Sequence, residues 1–315
     1  MKDRFDRDIH YLRLSVTDKC NLRCIYCMPK SGITKFKHED ILSVEEIEEM
    51  VQAAAVCGIT KVRITGGEPL VRRGIVEICK RVAKTDGIRE VCLTTNGILL
   101  PRFITELKSA GVNRINISLD SLDKVTYNEI TRFDTLNDAL AGVDAAIKTG
   151  FEAIKINAVL IGGVNEHNIQ QMLEFTRHNK VDVRFIELMP IGECADWAGS
   201  RFVSAQSVLQ VAPELIEVGT DGVTMLYKLP GGQGTVGLIC PISSHFCPTC
   251  NRIRLTSDGT LKPCLHSAQE VKLRGLHGDE LVSTIRNAIF NKPKKHEINN
   301  GEHSSATRNM NAIGG

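Results

Sequence analysis

A parallel α/β fold is what this sequence predicts, and two observations carry the prediction. Short β-rich runs of alternating polarity recur along the first two-thirds of the chain, and stretches with helical spacing of apolar residues separate them. The connections are short, and parallel neighbours need a crossover that such helices supply. The expected architecture is therefore a parallel sheet with helices outside it, closed into a barrel or forming an open part of one. Working groups in such folds gather at the carboxyl ends of the strands.

The elements follow in order. Residues 10–16 (HYLRLSV) alternate and read as the first strand. A cysteine-bearing loop leads to a helix with Ser43 as N-cap and Glu46 three residues on, the signature of a capping box. Val44, Ile47, Val51, Ala54 and Ala55 share one face of it, and Gly58 ends it. Lys61–Thr65 (KVRIT) is the second strand, and a helix over 74–84 follows the GGEP turn. Strands at 91–95 (VCLTT), 113–119 (NRINISL), 153–161 (AIKINAVLI) and 181–189 (VDVRFIELM) alternate with helices at 101–110, 136–149 and 166–179. Pro101 starts the first of these helices, where its missing N–H costs nothing. After Pro190 the rhythm stops. Turn-rich runs such as LPGGQGT place a boundary within 190–235, dividing the chain into 1–200 and 201–315. The polar last stretch, KPKKHEINNGEHSSATRNMNAIGG, reads by composition as a mobile tail.

With 42% hydrophobic and 24% charged residues among 315, the composition is that of an ordinary globular protein. The net charge of +2 argues against a broadly basic nucleic-acid surface but leaves room for a local cationic site. No run of about 18 apolar residues suggests a membrane span, and the charged start lacks an apolar signal core. A cytoplasmic location is expected. Eleven cysteines without an export signal favour metal ligation or buried thiols over disulfides. Cys57, Cys79, Cys92, Cys194 and Cys240 are scattered and expected to be buried, Cys240 lying near the second of two tight groups.

The first group, Cys20, Cys24 and Cys27, has C-x3-C-x2-C spacing just after the first strand. Three thiolates can hold three irons of a [4Fe–4S] cluster and leave the fourth open. A structural zinc site normally closes with four ligands. Tyr26 and Met28 flank the last cysteines and can shield the cluster. At the end of the second strand, Gly66 and Gly67 permit close backbone approach, and Glu68 can accept a bond from an ammonium. The second group, Cys247, Cys250 and Cys264, again supplies three thiolates, with His245 or His266 as the alternative fourth ligand of a zinc site. Arg252 and Arg254 beside it form a fork suited to phosphate. Arg13, Lys61, Arg63, Lys155 and Arg184 interrupt apolar strands. Inward-facing charge is costly without a partner, so these seven cations, with no comparable set of acids in view, predict a polyphosphate ligand.

C-x3-C-x2-C together with GGEP resembles the radical S-adenosylmethionine (SAM) enzymes. The runs LRLSVTDKCNLRCIYCMPK, KVRITGGEPLVRRG, LTTNG, INISLDSL and FCPTCNRIRLTSDGTLKPCL, with the closing GG, resemble the GTP 3′,8-cyclases of molybdenum cofactor biosynthesis over nearly the whole chain. That resemblance implies an incomplete (β/α)6 TIM-type barrel with a C-terminal iron–sulfur region. It implies a SAM-binding cluster on Cys20, Cys24 and Cys27, and SAM contacts from Tyr26, Gly67, Ser118 and Met189. It implies a second [4Fe–4S] cluster on Cys247, Cys250 and Cys264 whose open iron meets the guanine edge. Arg13, Arg63, Thr94, Lys155, Arg252 and Arg254 match GTP positions, and Lys61 and Arg184 add charge around the triphosphate. Gly314 and Gly315 match a tail that reaches the active site, where they and the paired arginines take part in catalysis. The implied reaction draws hydrogen from C3′ of GTP with a 5′-deoxyadenosyl radical; the C3′ radical then attacks C8, and one electron and one proton complete 3′,8-cyclo-7,8-dihydro-GTP. The implied partners are a flavodoxin-like electron donor, the downstream cyclic pyranopterin monophosphate synthase and a second copy of the chain, with no nucleic acid and no membrane. The alternatives are another radical SAM enzyme with an auxiliary cluster, such as a peptide-modifying one, and a zinc protein that binds nucleic acid.

Overall fold

The computed structural model describes residues 1–33, 36–296, 298 and 304–314. The expected alternation is present. β1 (Tyr11–Ser15) leads to α1 (Val44–Val56), β2 (Lys61–Thr65) to α2 (Ile75–Lys84), and β3 (Glu90–Thr95) to α3 (Leu100–Ser109). β4 (Arg114–Ser118) leads to α4 (Lys124–Thr131) and α5 (Leu136–Thr149), β5 (Ala153–Leu160) to α6 (Ile169–His178), and β6 (Asp182–Glu187) to α7 (Ser207–Val211). These six strands pair in parallel and in chain order.

The last third holds β7 (Ile216–Asp221), β8 (Thr224–Lys228), β9 (Thr235–Ile239), β10 (Arg252–Leu255), β11 (Thr260–Lys262), β12 (Val271–Lys272), α8 (Gly278–Phe290) and α9 (Met310–Ile313). Its strands continue the same sheet on both edges. β9 pairs in parallel with β6 and β10 in parallel with β1, while β8–β7 and β11–β12 extend the two ends antiparallel. The order is linear, with β12 and β7 at its ends among the described residues, so the barrel is incomplete.

Alternation along the strands decides what faces where. Leu12, Leu14, Val62, Ile64, Val91, Leu93, Ile115 and Ile117 are buried in one apolar core that also takes in Ile253, Leu255, Leu281 and Ile285 from the last third. Ile47, Met50, Val51 and Ala54 of α1 are buried with them. The residues between point to the opposite face, and there the row is polar: Arg13 lies opposite Arg63 and Arg254, and Thr94 opposite Asn116 and then Lys155.

The capping box of α1 has both halves. Ser43 Oγ accepts from the Glu46 N–H at 3.1 Å, and Glu46 Oε2 accepts from the Ser43 N–H at 2.6 Å. The helix expected over 166–179 opens with a 3-10 turn, Glu166–Asn168, before α6 begins. α4 was not expected; Asp123 caps it, accepting from the Thr126 N–H and hydroxyl at 2.8 Å each. The five scattered cysteines are buried. No helix among the described residues is long and apolar enough to cross a membrane.

Candidate active site

The loop after β1 is held by backbone from two directions. Gly67 N–H donates to Thr17 O at 2.7 Å and Glu68 N–H to Lys19 O at 2.8 Å, which ties the GGEP turn to the run leading into Cys20. A Cβ on Gly66 would lie 2.6 Å from Thr17 O, and one on Gly67 would lie 2.4 Å from Lys19 O. The glycines therefore serve the close packing of two chain segments. From the other side, Arg23 and Ile25 N–H groups donate to Thr131 and Ile130 carbonyls at 3.1 and 2.9 Å. Arg132, which follows α4, donates to Arg23 O at 3.2 Å and Met28 O at 3.0 Å. Glu68 lines the same cavity as Cys20 and has a structural task as well. Its carboxylate already accepts from Leu70 N–H, Thr95 Oγ1 and Asn96 N–H at 3.0, 2.7 and 2.7 Å, so it fastens the turn to the end of β3. Burial raises it to about 7.

Cys20, Cys24 and Cys27 line one cavity with Cys247, Cys250 and Cys264. Counting its open mouth, about 1940 Å³ of space free of protein atoms lies among the walls. Burial pushes the Cys20 thiol up to about 11 and, with Cys20 and Cys194 adding, Cys27 to about 12. Burial, then Asp120, Cys27 and Cys20, push Cys24 well above its ordinary value. Three thiolates can exist here only around a compact cationic body, which is what an iron–sulfur cluster supplies. Among the described residues no three His, Cys, Asp or Glu side chains converge as a single ion requires. At the far group, burial raises Cys250, but Lys292 and Arg252 outweigh it and bring the thiol to about 7. Both donor sets fit a cluster on chemistry: burial penalises free thiolates at the first, and cations attend Cys250 at the second.

Tyr26, Gly67, Ser118 and Met189 all line the same cavity. The Tyr26 hydroxyl donates to Asp120 Oδ2 at 2.8 Å, and burial raises the Asp120 carboxyl to about 6.

Arg13, Arg63, Arg252, Arg254 and Thr94 also line it. Among the described residues none of the four guanidiniums has a carboxylate within ion-pair distance. Arg13 Nε, Arg63 Nε, Arg252 Nε and Thr94 Oγ1 are buried without a hydrogen-bond partner. Burial lowers Arg13 to about 10 and, with Arg13 and Arg252 adding, takes Arg254 well below its ordinary value. Mutually repelling cations with spare donors are built to receive an anion. Tyr11 was missed by the sequence reading. Its ring lies 5.5 Å from Arg63 and 6.0 Å from Arg252, and its place two residues before Arg13, on the same face, was the available signal.

The expectation that seven strand cations lack acids fails for three of them. Lys61 pairs with Glu90 at 2.7 Å, and Lys155 and Arg184 share Asp221. All three stand outside the cavity lining. Their partners sit on neighbouring strands or a distant hairpin, where spacing in sequence cannot reveal them.

The tail reading by composition is overturned for 304–314. Arg308 pairs with Glu270 and Asp258, Asn311 Nδ2 donates to Asp18 O at 3.2 Å, and the Gly314 carbonyl accepts from Arg254. Gly314 packs against Ser15 and Thr65 at the end of β1 and β2. Gly315 lies outside the described residues. Near the second cysteines, His296 meets His245 edge-on and His266 at a tilt, with ring centroids 4.6 and 4.7 Å apart. Burial, His296 and Arg254 lower His266 to about 3 and keep it neutral.

A parallel barrel with a three-cysteine loop after its first strand and a glycine turn after its second defines a class of enzymes, and the comparisons agree. Residues 14–176 match the Radical SAM superfamily and 181–298 match Molybdenum Cofactor Synthesis C, so the chain belongs to the radical SAM superfamily. Within it, the chain is 48% identical over 320 residues to the GTP 3′,8-cyclase of Alkaliphilus oremlandii and 49% to that of Alkaliphilus metalliredigens, covering 100% of both partners each time. It is 46% identical to that of Peptoclostridium acidaminophilum, over 99% of this chain and 98% of the relative. It is a member of the GTP 3′,8-cyclase family.

Two solved structures share the fold. Streptococcus suis SuiB bound to S-adenosylmethionine has a TM-score of 0.60 at 15% identity, over 89% of this chain and 68% of that one. Native anSMEcpe with bound AdoMet has 0.53 at 16%, over 89% and 82%. At that identity the likeness is one of fold, and full-length relatedness to the cyclases outweighs the peptide-modifying alternative.

Proposed function

We propose that this chain converts GTP to 3′,8-cyclo-7,8-dihydro-GTP in molybdenum cofactor biosynthesis, with the cavity described above as its active site. One observation carries the assignment of residues: two three-cysteine groups line a single cavity whose wall holds four guanidiniums without acidic partners. Cys20, Cys24 and Cys27 hold one [4Fe–4S] cluster and Cys247, Cys250 and Cys264 the other. With SAM bound, the first cluster would supply the one-electron chemistry that starts closure of ribose C3′ on guanine C8, and the second would pass the electron that, with a proton, completes the product.

The chain's own residues do the rest. Tyr26, Gly67, Ser118 and Met189 hold SAM against the first group. Arg13, Arg63, Arg252 and Arg254, with Thr94, grip the triphosphate, and Lys61, Lys155 and Arg184 add charge beyond them. Fixing GTP at both ends holds its ribose still between the two cysteine groups, a proximity effect worth several kcal/mol, roughly, in such reactions. Arg254 also holds the Gly314 carbonyl, so the tail covers the phosphate side; Gly315 shares its catalytic assignment by family resemblance. Residues 1–200 carry the SAM half and 201–315 the auxiliary half. A flavodoxin-like donor, the cyclic pyranopterin monophosphate synthase as next enzyme, a homodimer and a cytoplasmic location complete the reading.

Reconstituted anaerobically, the protein should hold about eight irons per chain. Cys250→Ser should still cleave SAM yet yield no cyclised nucleotide by mass analysis. Product formed from GTP at the wild-type rate by that variant would refute the role of the second group.

A further inference from the structure

We propose that Asp221 is a built-in stand-in for phosphate: it occupies the seat formed by Lys155 and Arg184 until a nucleoside triphosphate displaces it, which makes affinity depend on phosphate number. The inference rests on reading the cavity as a triphosphate site.

Asp221 ends β7, at the turn of a hairpin that forms one edge of the sheet, and most of β7 is exposed. Its Oδ2 is shared by Lys155 Nζ and by Arg184 Nη2, the latter at 2.5 Å. The cations are buried, with 5% and 8% of their side chains exposed, whereas Asp221 is 41% exposed. The carboxylate thus enters from solvent into a seat made by the barrel. Lys155 and Arg184 hold its carboxyl far below the usual carboxylate range despite partial burial.

The seat offers more than one carboxylate can use. One carboxylate bonds both cations, and Asp182, beside Lys155 in register, is the other negative charge acting on them. Arg184 Nε is buried without a partner, and so are both amide atoms of Asn116, which lies beside Lys155 in register and beside Thr94 on its other side. Arg184 is also close enough to Arg63 for the two to repel. The unmet donors therefore run from Arg63 and Thr94 in the cavity wall, through Asn116, to the Asp221 seat. A phosphate group carries more charge and more acceptor oxygens than a carboxylate and satisfies that row better.

Arg184 Nη1 donates to Thr224 Oγ1 at 3.2 Å, and Gly237 leaves room for both, since a Cβ there would lie 2.6 Å from Thr224 Cγ2 and 3.0 Å from Arg184 Cγ. Among the described residues, the Asp221 side chain bonds to the barrel only through the two cations it shares. A ligand too short to reach the seat leaves the carboxylate in place and gains nothing from Lys155 and Arg184.

The test is equilibrium binding of GTP and GMP to the anaerobic, cluster-loaded protein, comparing wild type with Asp221→Asn, Lys155→Ala and Arg184→Ala. Removing the competitor should tighten GTP roughly tenfold and leave GMP within about twofold, because apparent affinity scales with the fraction of open seat. If Lys155→Ala and Arg184→Ala leave GTP binding unchanged, the triphosphate does not reach this seat and the proposal fails, while the four guanidiniums of the cavity still carry the triphosphate reading. If they weaken it while Asp221→Asn binds GTP no tighter, Asp221 merely props the cations and the stand-in is refuted. Equal tightening of GMP also refutes it, as a general charge effect. Wild type gives a second readout: saturating inorganic tripolyphosphate should speed amide hydrogen exchange in residues 216–228, and unchanged exchange there overturns the proposal.

Discussion

Gly67→Ala asks whether the glycine turn serves the cysteine loop, as its packing indicates. The added Cβ would sit 2.4 Å from Lys19 O, 2.7 Å from Lys19 C and 2.8 Å from Asp18 O. All three are backbone atoms, so no rotamer change relieves the overlap. Ordinary contact begins near 3.4 Å, so the segment leading into Cys20 has to retreat by about 1 Å. That retreat breaks the Gly67-to-Thr17 and Glu68-to-Lys19 bonds of 2.7 and 2.8 Å. Each bond is worth about 1 kcal/mol net and overpacking adds about 1–3, for a local cost of about 3–5 kcal/mol. The loss falls on one cysteine group only. Reconstituted anaerobically, the variant should hold about four irons in place of about eight and lose SAM cleavage. It should keep its binding of GTP at the distant group. Full iron loading with an unshifted melting temperature would refute the reasoning.

Two further changes test the scaffold. Asp3 and Arg7 form a buried pair at 2.6 Å, and Arg7 also donates to the carbonyls of Cys247, Pro293 and Lys294; Asp3→Asn should cost about 3–5 kcal/mol in denaturant unfolding at neutral pH. Burial raises the Asp3 carboxyl, but the bonds from Arg7 and Phe5 outweigh it and hold it below 3.8, so its contribution is full above that pH and fades as pH falls through the lowered value. A gap between wild type and variant that persists in strong acid would contradict this. Glu187 is fully buried and accepts from the N–H groups of Ile242, Ser243 and Ala205 at 2.9, 3.0 and 3.3 Å; Glu187→Ala should lose about 3 kcal/mol or more by stranding them, and a loss under about 1 would show that the loop re-pairs.

What could be read from the sequence follows from where the physics is local. β1 to β6 carry period-two alternation, and α1 carries a complete capping box at Ser43 and Glu46, so both are legible in short windows. α4 (KVTYNEIT) is polar and rich in β-branched residues and hides its period, though Asp123 before it was a usable cap signal. The β7–β8 hairpin was also readable from Asp221-Gly222 between β-rich runs, and Gly222 does take φ +62° at the turn. Both cysteine groups were legible as spacing. The pairing of Lys155 and Arg184 with Asp221 was not, because it joins strands to a hairpin far along the chain. The same holds for Gly314 returning to Arg254, which composition alone placed in solvent.

β10 lies against β1, and these strands come from opposite ends of the polypeptide. On the ribosome, β1 waits with a bare edge until nearly everything else has emerged, and closing so long a loop is entropically slow. The thiols after β1 stand beside that unsealed edge throughout synthesis. Iron delivered then would meet a half-built wall open to oxygen, so assembly factors have reason to act on the completed, folded chain.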